Sequence, residues 1–374
     1  MQQVSIWVQE TFYATQDIII AGAGFTGLWT ALQLKEKYPA KKITIIERGS
    51  IPCGASVGNA GFACFGSLTE IISDIKLMGV QKTMQLVNLR YLGLKMIRRN
   101  FADNLIDYKN CGGYEISDND SCFEQMSNIN QLLYPVTNLT ETFVQSDEAI
   151  ETFGFANTKH LVLNPLEGSL HPGKLLQVLS QLVVAKGVQI LYGTELQQYE
   201  ETDSAVTIYT NQKMNLKAGK LIFCTNAFTK NILPDFDITP ARGQVLLTEP
   251  IAGLKINGVF HYDEGYYYFR NFHDRILLGG ARNTSFETEY TFDAISTIPV
   301  QQELERFLTT VILPGQKPAI THRWAGIMGM GGDKSPIVKQ LTGRTYCAVR
   351  LSGMGVALAP MIGKMVAEQL VASA

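Results

Sequence analysis

Apolar positions along this chain come in two textures. In the first, short runs are apolar without alternation: Ile18 to Ala21, "KITIIE" from Lys42 to Glu47, and "KLIFCTNA" from Lys220 to Ala227. Continuous short runs mark strands buried on both faces, as in a parallel sheet, and the last one reads as central. Thr26 to Lys37 carries a helical pattern that Pro39 ends, so strand, helix and strand form a βαβ unit near the N-terminus. A second helix–strand pair follows at "HPGKLLQVLSQLVVAKGVQILYGTEL", where Pro172 suits a helix start and Gly187 its end, with a strand from Val188 to Tyr192. "SAVTIYTN" adds another strand.

The second texture alternates aromatic and polar positions. "ARGQVLLTEP", "GVFHYDEGYYYFRNF" and "RILLGGARN" read as antiparallel strands with one face wet or turned to a ligand. Helical patterns cover Leu68 to about Asp107, 121–134, 138–153 and 299–313, and Gly112 to Ser117 reads as a strand. The chain closes on a strand, a Gly-rich turn and a final helix. Residues 1–16 form an arm that Trp7 and Phe12 are expected to pin to the body. The expected fold class is α/β, α+β overall. One unit is assembled from 1–83, 155–235 and 319–374, and a second from 84–154 and 236–318.

Composition narrows the partners. The 374 residues are 46% hydrophobic and 18% charged, enough for more than one domain. A net charge of -2 without a basic face argues against nucleic acid; Arg98–Arg99 and Lys41–Lys42 read as solvated charges. The six cysteines form no C-x-x-C pair and have no close histidine, so they read as reduced side chains and not as a metal site. No leader pattern and no membrane-spanning run stand out, so the expected location is cytoplasmic, with peripheral membrane attachment left open. Oligomeric state stays open.

The chemistry starts at "GAGFTG". Gly22, Gly24 and Gly27 stand in G-x-G-x-x-G spacing between a strand and a helix. The first glycine allows the tight turn, the second lets backbone approach a pyrophosphate, and the third brings helix and strand together. The helix start that follows offers unpaired N–H groups to the anion. Glu47 ends the next strand twenty residues after Gly27, where an acid binds ribose hydroxyls and repels a 2′-phosphate. The bound molecule is a dinucleotide with a free ribose; NAD and FAD both fit. Three features favour FAD: the motif at the N-terminus, the small-residue loop Arg48 to Ser67 directly after Glu47, and the Gly-rich turn opening the last helix.

Together "IIIAGAGFTGLWTALQL", "IIERGSIPCGASVGNAGF", "EGSLHPGKLLQVL", "ARGQVLLTEP", "GYYYFRNFHDRILLGGAR", "HRWAGIMGMGGDKSPIV" and "RLSGMGVALAPMIGKMVAEQL" resemble the FAD-dependent D-amino-acid oxidase superfamily. The branch is the one with D-amino-acid dehydrogenase, glycine oxidase, sarcosine oxidase and gamma-glutamylputrescine oxidase. "SIW" before the first strand is most similar to the last of these. The resemblance implies a Rossmann-like FAD-binding domain of the glutathione-reductase type and an antiparallel-sheet substrate domain. It implies that Ser56, Asn59, Ala60 and Gly61 lie along the flavin and its phosphate linker. Leu196 would face the adenine through its backbone, and Asn226 and Ala227 would close over the ribityl chain. Gly353, Met354, Gly355 and Val356 would reach the ring, where a helix start stabilises the negative charge of reduction. Phe25, Thr26, Arg48 and Gly326 complete the expected cofactor contacts.

"RWAGIMGMGGD" lacks the cysteine, and "ASVGNAGF" the histidine, through which some relatives attach flavin, so non-covalent FAD is expected. Leu277 stands where sarcosine oxidases carry an oxygen-promoting lysine, and the glycine-oxidase arginines are missing from "GIMGMGGD" and "SGMGVALAP". The implied activity is oxidation of the C–N bond of a primary or secondary amine or amino acid to an imine, with oxygen or a quinone or carrier as electron acceptor. Alternation puts Tyr266, Tyr268 and Arg270 on one strand face. The tyrosines then shape a pocket and Arg270 holds a carboxylate; an ordinary sheet surface fits the same pattern, and both readings stay open. Arg242, Arg282 and Arg323 are alternative carboxylate binders, and His261 is the one histidine placed near the pocket. A tRNA-modifying oxidase-like domain and a non-catalytic flavin-binding protein are the rival readings.

Overall fold

The computed structural model describes residues 4–212 and 215–372. The first sheet has the spatial order Ile337–Gln340, Thr345–Val349, Asn215–Phe223, Gln16–Ala21, Ile43–Ile46 and Gln189–Leu191. Four of the five pairings in this order are parallel, the edge pair Ile337–Gln340 with Thr345–Val349 being antiparallel, and Asn215–Phe223 lies between the first strand and one of the last. Ile19, Ile20, Leu221, Ile222 and Phe223 are fully buried there, which is why their runs do not alternate. The hairpin Leu196–Glu201 and Val206–Thr210 joins antiparallel to the central strand.

Helices Phe25–Lys37, Gly355–Ala372 and Val80–Asn100 pack as a layer beside this sheet. Two glycines set their closeness. A Cβ on Gly93 would stand 1.8 Å from the Ala357 carbonyl oxygen, and one on Gly363 2.7 Å from the Thr30 nitrogen. Helix Val80–Asn100 therefore rests on the C-terminal helix, although most of it was expected in the second unit.

The second sheet runs Ile320–Met330, Thr239–Thr248, Arg275–Gly280, Tyr267–Phe272, Val259–Tyr262, Gly113–Ser117, His160–Asn164, Val144–Gln145. It is antiparallel except for one pair, since Val259–Tyr262 runs parallel to Gly113–Ser117. Strands His160–Asn164 and Ile320–Met330 belong to it, so the stretches 155–235 and 319–374 each begin in the antiparallel layer. Its other face is backed by helix Ile298–Phe307 and a core of Phe260, Phe269, Phe307 and Leu278.

Three local expectations are corrected. Helix Ser121–Thr137 runs past 134 and ends where Asn138 takes a φ of 59°. Residues 138–153 are not one helix but the short strand Val144–Gln145 and helix Ala149–Phe153. Trp7 and Phe12 are 75% and 46% exposed, so they do not pin the arm; Tyr13 packs on the core instead.

Candidate active site

One cavity of about 490 Å³ joins the glycine loop of the first sheet to the inner face of the second. At its sheet end the loop geometry follows from the glycines. Gly22 has a φ of 105°, and a Cβ there would meet the Cys224 carbonyl oxygen at 2.8 Å. A Cβ on Gly24 would fall 2.9 Å from Ser56 Oγ, which itself accepts the Phe25 amide at 2.9 Å. Gly27 does not line the cavity; it lets the helix close on the strand. Glu47 accepts the Ala23 amide at 2.9 Å and the Gly49 amide at 3.0 Å, which fixes its carboxylate at the cavity wall.

Most other expected cofactor residues line the same cavity. Phe25, Thr26, Arg48, Ser56, Asn59 and Ala60 do so on the N-terminal side. Leu196, Asn226 and Gly326 do so from the middle of the chain. Gly353, Met354, Gly355 and Val356 do so at the start of the last helix. Gly61 and Ala227 stand one residue behind the wall. Arg48 lays its guanidinium over the Phe228 ring, 3.6 Å from the centroid. Asn59 caps the short helix Ala55–Gly58 and accepts the Gly61 amide at 2.8 Å.

The wall holds polar groups with no protein partner. Asn226 Oδ1 and Ser352 Oγ are buried and unbonded. Arg350, Ser352 and Gly353 take φ values of 63°, 48° and 85° just before the last helix. Left-handed backbone at non-glycine residues is held against strain and concentrates at binding sites. Glycine cradle, fixed acid, unbonded amide oxygen and helix start together suit a dinucleotide.

At the far end the lining becomes aromatic. His261 pairs with Tyr268 in strand register, and the Phe62 ring stands edge-on to both, at 5.2 and 5.9 Å. Burial holds the His261 imidazole down to about 4, so it is neutral at physiological pH, and pushes the Tyr268 hydroxyl up to about 12. His261 Nε2 is unbonded, 3.8 Å from Glu167 Oε2. Leu277 packs in an apolar cluster with Ala60, Val245 and Leu247.

The arginines separate cleanly. Arg270 does not line the cavity: residues 59–62 fold over its end of the strand, with Nη2 3.1 Å from the Cβ position of Gly61. It is 5% exposed and has no carboxylate within salt-bridge distance among the described residues, and burial brings its guanidinium down to about 10. Alternation thus placed Tyr268 correctly, but the loop screens Arg270 from the cavity. Arg242 is forked onto Glu289, and Arg323 pairs with Glu305 at 2.6 Å. Arg282 lines the cavity beside Tyr266 and has no carboxylate within salt-bridge distance among the described residues; Tyr266 and Phe286 flank it at 5.1 and 5.3 Å. Sequence reasoning missed Glu70, Asp74 and Lys334, which also line the cavity. They come from a helix and a loop far apart in the chain, and only the fold brings them together.

Glu167 gives a pH test. Burial pushes its carboxyl from 4.5 up to about 8, against the Phe65 and Gly66 amides that it accepts. The folded state then holds this proton more tightly than the unfolded state does. The contribution is full below about 4.5 and is lost as pH rises through about 8. Glu167→Gln is expected to flatten the fall in stability across that window in urea titrations; an unchanged slope refutes the assignment.

The sequence model of the DAO family, described as FAD dependent oxidoreductase, matches residues 17–369. The chain belongs to this family. It is therefore an FAD-dependent oxidoreductase with a glutathione-reductase-type cofactor fold, and its cofactor is FAD. It is 25% identical to the probable oxidoreductase OrdL of Haemophilus influenzae, over 95% of this chain and 82% of that one. It is 24% identical to the L-2-hydroxyglutarate dehydrogenase of Escherichia coli, over 66% of this chain and 57% of that one. Among solved structures it superposes on L-proline dehydrogenase from P. horikoshii with a TM-score of 0.79 at 19% identity, covering 96% and 94% of the two chains. Glycine oxidase from Geobacillus kaustophilus gives 0.77 at 16% identity, covering 96% and 95%. Among the described residues no helix is long and apolar enough to cross a membrane.

Proposed function

We propose that this DAO-family chain oxidises the C–N bond of an amine or amino acid to an imine, which water then converts to a carbonyl product. The observation that carries the reading is the single cavity that runs from the dinucleotide cradle into the chamber of Phe62, His261 and Tyr268. FAD, when bound, supplies the acceptor for the hydride that leaves the carbon beside the nitrogen. The protein's part is placement. The aromatic walls exclude water and orient that carbon. A neutral His261 adds no positive charge against an amine and leaves room for its unprotonated form. The start of helix Gly355–Ala372 offers N–H groups and a positive dipole end to the negative charge of reduction.

Arg282 replaces Arg270 as our candidate for a substrate carboxylate. Arg48 and Arg282 both stand at the cavity wall without an acid partner among the described residues; Arg48 stacks on Phe228, whereas Arg282 stands beside Tyr266, where flanking rings preorganise its guanidinium. We also assign FAD to non-covalent binding: Cys64 and Cys224 are the cysteines at the wall, and burial pushes both thiols far up, Cys224 to about 12. Oxygen and a quinone or carrier remain the two classes of electron acceptor in this reading.

Anaerobic spectra of the purified holoprotein test these points. Acid precipitation should release the flavin into the supernatant. A panel of amines and amino acids should include at least one that bleaches the flavin band; a band that none bleaches would sink the oxidation. Arg282→Gln should raise the half-saturating concentration of N-methylglycine about ten- to a hundredfold, the worth of a hydrogen bond to a charged group, and leave N-methylpropylamine unchanged. Equal loss for both would make Arg282 structural.

A further inference from the structure

Besides the aromatic chamber, the cavity is lined by Glu70, Ser73, Asp74 and Leu77 of helix Leu68–Met78 and by Lys334 of the loop after Ile320–Met330. Four charged groups meet there. Lys334 Nζ lies 3.0 Å from Glu70 Oε1 and 2.8 Å from Asp74 Oδ1, and Arg90 Nη1 lies 3.3 Å from the same Glu70 oxygen. Asp74 is 1% exposed and Arg90 fully buried. Removing four ions from water is costly, and a cluster that serves structure alone gains by satisfying every member.

This cluster does not. Asp74 lines the wall, and its Oδ2 is buried and accepts no hydrogen bond among the described residues. The Lys334 ammonium has three N–H groups and two carboxylate partners. Two carboxylates, one ammonium and one guanidinium cancel in charge. Burial alone would raise the Glu70 carboxyl, yet Lys334 and Arg90 hold it down to about 2, so it stays ionised. Arg90 Nε and Nη2 are buried without a partner too, but Arg90 does not line the cavity, so what the wall itself offers is the Asp74 carboxylate and one Lys334 N–H.

We propose that Asp74 and Lys334 form a second recognition subsite, one that takes an uncharged carboxamide on the substrate. The amide N–H donates to Asp74 Oδ2, and the amide oxygen accepts from Lys334 Nζ. A second ammonium on the substrate meets the Lys334 ammonium, and a second carboxylate meets Glu70 and Asp74, so both are disfavoured beside this cluster. The inference rests on the proposed function, because it assumes that substrate occupies this cavity.

Ligand-observed NMR titration of the holoenzyme with propionamide, ethylammonium and propionate is the test, and it needs no turnover. Propionamide is expected to bind saturably and the two ions not at the same concentrations. Asp74→Asn and, independently, Lys334→Met are expected to weaken propionamide about ten- to a hundredfold. Flavin content and circular dichroism check that each variant is folded, and either variant alone decides the point. Equal propionamide binding in wild type and variant would leave Asp74 Oδ2 to an ordered water and overturn the subsite. Tighter binding of ethylammonium, or no binding of propionamide, would overturn it too. Failure of every amine to bleach the flavin would instead remove the proposed oxidation and leave this titration readable.

Discussion

Gly27→Ala is expected to abolish flavin retention, and Gly343→Ala to leave it at the wild-type level. A Cβ on Gly27 would stand 1.9 Å from the Gly22 carbonyl oxygen and 3.1 Å from its carbon. Both obstacles are backbone, so no side chain can turn away. Relief requires moving the helix off the strand, and with it the helix start that lines the cavity. Gly343 does not line the cavity, and a Cβ there meets only Glu201 Oε1 at 4.0 Å. The ratio of flavin to protein absorbance after gel filtration reads the contrast. Full flavin content in Gly27→Ala would show that the close approach is not needed.

The second large effect is on stability. Arg242 donates from Nε to Glu289 Oε2 at 2.9 Å and from Nη2 to Oε1 at 2.7 Å, and Gln244 donates to the same carboxylate at 2.9 Å. The two charged residues are 4% and 1% exposed. Glu289→Leu leaves a buried guanidinium with only the exposed Asp293 carboxylate, 4.0 Å away, which is expected to cost about 3 kcal/mol. Arg242→Met combined with Glu289→Leu should recover most of that loss, because an apolar pair removes both desolvated charges. Chemical denaturation midpoints of the single and double variants check it. A double variant no more stable than the single one would mean that shape, not charge, sets the penalty. The pair also anchors the segment that carries Phe286, one of the rings flanking Arg282.

The parallel sheet was legible because a strand buried on both faces cannot hide its pattern: Ile18–Ala21 and Leu221–Phe223 admit no other reading. The cofactor cradle was legible because glycines at fixed spacing report backbone contacts that no side chain tolerates. The second sheet's membership was not. His160–Asn164 and Ile320–Met330 pair with strands far away in the chain, and no local pattern encodes that choice. Arg270 shows the limit of alternation: period two tells which face a residue takes, but not that Gly61 and Phe62 cover that face. The Glu70, Asp74 and Lys334 cluster was invisible for a related reason. Each is an ordinary surface residue type, and its burial depends on a loop some 264 residues from Glu70.

The order of strands has a consequence for synthesis. The central strand Asn215–Phe223 takes Gln16–Ala21 on one side and Thr345–Val349 on the other, and the cavity wall ends on the helix that starts at Gly355. A nascent chain therefore displays its glycine loop hundreds of residues before the opposite wall has left the ribosome. All the walls of the cavity exist together only once the helix that starts at Gly355 has been made and has packed on helix Phe25–Lys37.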